Sequence, residues 1–189
     1  MNKRDLLLET SLTLFYEKGV HAVGINEILS CSGVAKKTLY NYFDSKEALI
    51  LACVQARDLR FMAWLNNRCS NKASLSDFII AFFDALNDWI NSNVVQLGEF
   101  NGCFFVNVSA EYNDESSLIY LQCLTHKNNV RLFIQQQLLT FKQINTQEKN
   151  LLLNTLMLLK EGCINCAFVL GDKASANKAK TVALQLLPQ

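Results

Sequence analysis

A chain of 189 residues, half of them hydrophobic, is long enough to bury a sizeable core, and its net charge of +1 excludes a global electrostatic bias toward polyanions. With one proline and seven glycines, the composition favours long helices over turn-rich β structure. Residues 1–60 hold eight of the 18 Lys/Arg and seven of the 17 Asp/Glu, so any polyanion-binding surface must be a local patch.

The first segment, roughly 2–18, places Leu7, Leu8, Leu12, Leu14 and Phe15 at helical spacing, and Gly19 ends it as a helix C-terminus should. A second short helix reads from about Ile25 to Cys31, with Ile25, Ile28 and Leu29 on one face. The break at Cys31-Ser32-Gly33 leads to a third, at about 35–42. Asp44 or Ser45 can cap a fourth helix running to about Asn67, and Asp44 with Glu47 fits a capping box. The polar stretch 69–76 is the best boundary: residues 1–47 form one domain, a connecting helix extends to about 68, and 69–189 form the other. Helices follow at about 75–92, 102–112, 117–141, from Asn145 to about Leu170 with Asn145 and Glu148 as a second capping box, and at 174–187. The 102–112 run is rich in β-branched and aromatic residues, which suit a strand, but its helical setting points to helix. The fold class is therefore all-α.

Two short helices around a glycine-containing turn make a helix-turn-helix, whose second helix can lie in the DNA major groove. On that helix Lys36 and Lys37 can meet base edges or phosphate oxygens. Thr38 supplies a hydroxyl, and Tyr40 and Tyr42 supply rigid phenols that reach flanking phosphates. Lys46 opens the next helix, whose free N-terminal amides also attract phosphate. Val34, Leu39 and Phe43 are the apolar anchors behind them. The plainer reading, a solvated basic face with half-buried tyrosines, is equally compatible with the spacing alone.

Residues 6–49, LLLETSLTLFYEKGVHAVGINEILSCSGVAKKTLYNYFDSKEAL, resemble the N-terminal domain of TetR/AcrR-type transcriptional regulators. The match includes Leu14-Phe15, Gly19, Ile25, Ile28, Gly33-Val34 and TLYNYF followed by Lys46 and Glu47, without gaps. The resemblance implies an all-α homodimer: an N-terminal helix-turn-helix domain that binds operator DNA, and a C-terminal helical domain that senses a ligand and dimerises. It implies a regulator, most often a repressor, released from its operator by a small molecule; the cysteines and the lack of a signal pattern or a membrane-length apolar run lead to the expectation of a cytoplasmic protein with no membrane partner. Family members usually place Ser or Thr at the start of each short helix. This chain has Gly24 and Ala35 there, so either Ser32 compensates or the recognition helix starts differently. The segment GCFFVNVSAE at 102–111 resembles one branch of the same family, in which Gly102-Cys103 opens a helix under the DNA-binding domain.

The apolar and aromatic residues Phe82, Trp89, Phe104, Phe105, Tyr112, Tyr120 and Phe168 are candidates for lining an effector pocket, though each is equally at home in an ordinary core. Apolar residues wrap widely around 151–170, which suits the dimer interface that the resemblance implies. Seven cysteines, an odd number without a preceding signal-peptide pattern, read as reduced cytosolic thiols. Cys103 stands at a helix N-terminus, where a thiol can be activated toward oxidants, or is simply a small buried residue. Cys163 and Cys166 form a C-x-x-C within a helix with no second pair, and His21 and His126 lie far apart on either side of the boundary, so no metal site or cofactor is expected. No apolar stretch runs uninterrupted for the length of a membrane span. No catalytic motif is present, which points away from an enzyme. The alternatives to a ligand-released repressor are a thiol-based regulator using Cys103 and a helix-turn-helix protein controlled by a protein partner.

Overall fold

The computed structural model describes residues 2–187. Helices account for its regular structure, in the order α1 Lys3–Lys18, α2 Ile25–Ser32, α3 Lys36–Tyr42, α4 Lys46–Cys69, α5 Leu75–Ile90, α6 Phe104–Glu111, α7 Leu118–Thr140, α8 Thr146–Val169 and α9 Ser175–Gln185. A single 3-10 turn, Val95–Leu97, was not foreseen. The all-α class holds, and the ambiguous segment at 102–112 is the helix α6.

The helix ends follow local chemistry. Asn2 caps α1 by accepting from Asp5 N–H, Ser74 caps α5 through Asp77 N–H, and Asn145 with Glu148 forms a reciprocal capping box on α8. Ser45 is the residue that caps α4, its Oγ accepting from Ala48 N–H at 3.1 Å. Ala35 stands before α3 with no side-chain cap. Ser32 does not substitute for it: its Oγ accepts from Val34 N–H at 3.3 Å and so braces the turn rather than α3.

The chain divides into two compact units. One holds the chain up to Leu59 together with Cys103–His126, and the other holds Arg60–Gly102 together with the chain from Lys127. The expected boundary at 69 does not coincide with this division. A sequence boundary cannot anticipate that α6 and the first part of α7 pack with helices that precede them by some 50 residues or more.

In the first unit α1 packs on α2 and α3 around Leu7, Phe15, Val20, Ile28, Leu39 and Leu49, all buried. The same unit buries an ionisable pair: His126 Nδ1 lies 2.7 Å from Asp58 Oδ1, and the His126 ring stacks on Phe105 at 3.4 Å and 9°. Both histidines therefore fall in this one unit, His21 beside Glu111 and His126 beside Asp58.

In the second unit α9 packs along both α5 and α8. Its core holds Phe78, Phe82, Phe83, Leu86, Leu153, Leu156 and Ile164. Lys173 Nζ donates to Ile90 O, and Ser175 Oγ donates to Cys163 O, which fixes the turn between α8 and α9 against its neighbours. By length and composition α8 reaches the apolarity of a membrane span. Within the unit one side of α8 is core, and the other side carries Leu151, Leu158 and Val169 exposed.

Candidate nucleic-acid interface

The turn that separates α2 from α3 depends on Gly33, which takes φ +67° and lets its N–H bond Leu29 O, ending α2. The chain then re-enters a helix at once. Leu39 is fully buried on the inner side of α3, and Val34 and Phe43 are buried at its two ends. Phe43 is also covered by the Arg4 guanidinium, 5.4 Å above its ring, a contact that sequence reasoning did not single out.

With its inner side fixed in this way, α3 presents the remaining side chains outward. Lys36 and Lys37, its first two residues, are exposed, and Thr38 is half-buried. Tyr40 and Tyr42 are 42% and 46% exposed. Lys46 is the first residue of α4 and half-buried beside the Ser45 cap. All six expected contact residues thus lie on α3 and the start of α4, within eleven consecutive positions. Lys18, by contrast, is bonded to Glu27 at 2.6 Å, and that hydrogen bond raises its pKa. An exposed run of ammonium and phenol groups can neutralise and hydrogen-bond phosphates, while a slim helix brings its first residues to base edges.

The position of these helices is set from behind by α6. Glu111, its last residue, accepts from Val20 N–H at 3.0 Å and from His21 N–H at 2.6 Å, gripping the turn between α1 and α2. Gly19 makes that grip possible. Its φ is +89°, and a Cβ there would stand 2.8 Å from Glu111 Oε1. Tyr112 tilts against the His21 ring at 5.0 Å, and burial, with the Glu47 and Glu111 carboxylates, pushes its phenol pKa up.

The seven candidate pocket residues fall in both units. Phe104, Phe105, Tyr112 and Tyr120 belong to the first unit, and Phe82, Trp89 and Phe168 to the second. Phe104 packs edge-on to Tyr16 at 5.8 Å. Phe82 sits among Phe78 and Phe83. Trp89 is ringed by Phe61, Trp64 and Phe100, at 5.3, 6.5 and 5.2 Å between ring centres. Phe168 is partly exposed and lies over Gly102. Cys103 stands at the N-cap of α6 and is only 7% exposed. Burial pushes the thiols of Cys69 and Cys163 up to about 12. Among the described residues no three His, Cys, Asp or Glu side chains gather in a metal-ligating group.

Residues 7–53 match the family of bacterial regulatory proteins described as the tetR family. Over that segment, which runs through the first three helices to the start of α4, the chain is similar to this family. The E. coli K12 transcriptional repressor NemR is 31% identical over 115 residues, which cover 60% of this chain and 55% of NemR. In sequence, then, the chain spans about half the length of the curated relatives it matches. Over the whole fold it is similar to SCO4454, a TetR-family transcriptional regulator from Streptomyces coelicolor, with a TM-score of 0.86 and 24% identity over 97% of this chain and 93% of that one. The reduced form of E. coli NemR gives a TM-score of 0.79 at 21% identity, covering 100% and 98% of the two chains. These relatives are transcriptional regulators.

Proposed function

We propose that this chain is a sequence-specific DNA-binding repressor that acts as a cytoplasmic homodimer and leaves its operator when a small molecule binds its second unit. The observation that carries this reading is the outward face of α3. Lys36, Lys37, Tyr40 and Tyr42 are exposed on a short helix whose opposite side is locked by Leu39. Lys36, Lys37, Thr38, Tyr40, Tyr42 and Lys46 are the proposed DNA contacts. Dimerisation is supported by the exposed apolar row Leu151, Leu158 and Val169 on α8, where Gly162 leaves open space, and by Val182 on α9 and Leu186 just beyond its end. Two recognition helices in such a dimer would address half-sites about 34–36 Å apart, and an effector would act by favouring a different spacing.

The test is selection of bound DNA from a random library, followed by titration of the selected site. Affinity should fall steeply with salt. Lys46→Ala should weaken binding to all sequences alike and reduce the salt slope by about one counterion. Unchanged affinity and slope in Lys46→Ala, together with Tyr42→Phe, would remove these residues from the interface.

Cys103 supports a second reading, release by thiol oxidation, through its place at the start of α6, the helix that grips the α1–α2 turn. Its burial opposes ready access of oxidants. Loss of peroxide-induced DNA release in Cys103→Ser, with DNA affinity intact, would establish it, and an unaltered response would exclude it.

A further inference from the structure

The first unit contains two arginines, and they are used differently. Arg57 is buried, its guanidinium 4.6 Å from the centre of the Tyr16 ring. Arg4, the second residue of α1, is exposed. Its backbone is held from two sides. Asn2 caps the helix by accepting from Asp5 N–H at 2.9 Å, and Leu7, one turn on, is fully buried. From this fixed turn the Arg4 side chain crosses to the junction of α3 and α4, where its guanidinium lies 5.4 Å from the centre of the Phe43 ring. Phe43 follows α3 directly, its N–H bonding Leu39 O, and Lys46 opens α4 three residues later. Successive Cα atoms are about 3.8 Å apart, so Tyr42 and Lys46 each lie within about 12 Å of Phe43.

An aromatic ring beneath a guanidinium occupies one of its flat faces. The N–H donors lie in the plane of the group and stay open to another partner. Among the described residues no carboxylate takes up the Arg4 charge. Lys18 shows the contrast, since Glu27 already neutralises it. A planar cation held in one orientation with its donors free is suited to grip a phosphate through two parallel hydrogen bonds. A side chain that merely covered Phe43 would need its methylene stem and not its charge.

We infer that Arg4 is a further phosphate-binding residue of the DNA interface, held by the Phe43 ring where α3 meets α4, beside the phosphates addressed by Tyr42 and Lys46. This rests on the reading of α3 as the DNA-binding face and extends that face to the start of α1, a region that the recognition-helix sequence does not include. Arg4 adds affinity for the DNA backbone and fixes the register of α3 on the duplex, without reading bases.

The test uses the full chain, the site selected from the random library and an unrelated duplex of equal length, each titrated over a range of salt. Arg4→Gln keeps most of the stem and removes the charge. It should weaken binding to both duplexes alike, by about tenfold, because it removes a charge-assisted hydrogen bond. The slope of log affinity against log salt should fall by about 0.9, the share of one neutralised phosphate. Arg4→Lys should restore the slope and only part of the affinity, since an ammonium keeps the charge but not the fork. Lys142→Gln, an exposed cation of the second unit, controls for net charge and should change neither quantity. The Phe43 ring is tested by Phe43→Leu, in which the further loss from Arg4→Gln should be smaller than in the wild-type chain. Thermal unfolding is measured on every variant.

An unchanged salt slope in Arg4→Gln would overturn the contact, whatever the affinity. An affinity loss with unchanged slope and a lowered unfolding temperature would make Arg4 a cover for Phe43 and nothing more. A loss confined to the selected site would mean base reading and would overturn the phosphate assignment. An equal loss in Lys142→Gln would reduce the effect to net charge. If Phe43→Leu does not fold, the restored slope in Arg4→Lys decides alone. Failure of the wild-type chain to bind any duplex removes the regulator reading and this contact with it, whereas wild-type binding with an indifferent Arg4→Gln removes Arg4 alone.

Discussion

On α3 the lysines face outward and a leucine faces inward, whereas α8 inverts the pattern. Its Lys160 is buried while Leu151, Leu158 and Val169 are exposed. The outward lysines of α3 stay hydrated until a phosphate replaces water, which suits reversible, salt-sensitive contact. The exposed leucines of α8 are poorly placed in water, and its buried lysine is held by the carboxylate of Glu161 instead of by solvent. Where a helix departs from the simple pattern of charge outside and apolar inside, it indicates what else must contact it.

Substitutions can break this contrast at either end. Leu39→Ala should destabilise the fold by about 2–5 kcal/mol, because the side chain is fully buried and its loss leaves a cavity behind α3. Urea denaturation measures this, and a loss within error would mean that α3 is not anchored there. Leu158→Asp, at a residue 74% exposed, should leave the monomer's stability nearly unchanged. It should instead raise the dimer dissociation constant by about 30-fold or more, as read by sedimentation equilibrium. A dimer indifferent to this change would place the interface elsewhere.

Glu111→Ala should cost about 1–3 kcal/mol and speed hydrogen exchange at the Val20 and His21 amides, which lose their acceptor. Lys46→Ala, on the exposed side of the comparison, should leave both quantities alone. The smallest effect concerns pH. The carboxyl of Glu161, at about 2 in the folded chain, lies below its ordinary value of 4.5. Its contribution to stability is therefore present in full above pH 4.5 and is lost as pH falls through 2. The stability difference between the wild-type chain and Glu161→Gln should shrink across that window. A difference independent of pH would show that the charge on Glu161 contributes nothing.

The helices were legible because their signals are local. Asn145 with Glu148, Gly19 and Gly33, and the period of apolar residues each act within a turn or two of the chain. The exposed face of α3 was legible for the same reason, since Lys36 to Lys46 is continuous. Three features were not. The cap on α4 fell to Ser45 rather than Asp44, a choice made by backbone geometry that composition does not reveal. Which unit each candidate aromatic residue joins was not legible, because aromatic character marks burial without saying beside what. Glu111 and Glu161 could be seen in the sequence only as charges among apolar residues. Their roles depend on Val20 and His21 in one case and Lys127 in the other, partners that lie far away along the chain.

The fit between Gly19 and Glu111 also limits how this protein can be rebuilt. A chimaera that joins a foreign helix-turn-helix to the remainder of this chain inherits Glu111 as a fixed fitting. The incoming module must offer a glycine and two free amides at the end of its first helix. A module with any larger residue at that point will seat badly, however well its recognition helix suits the chosen operator.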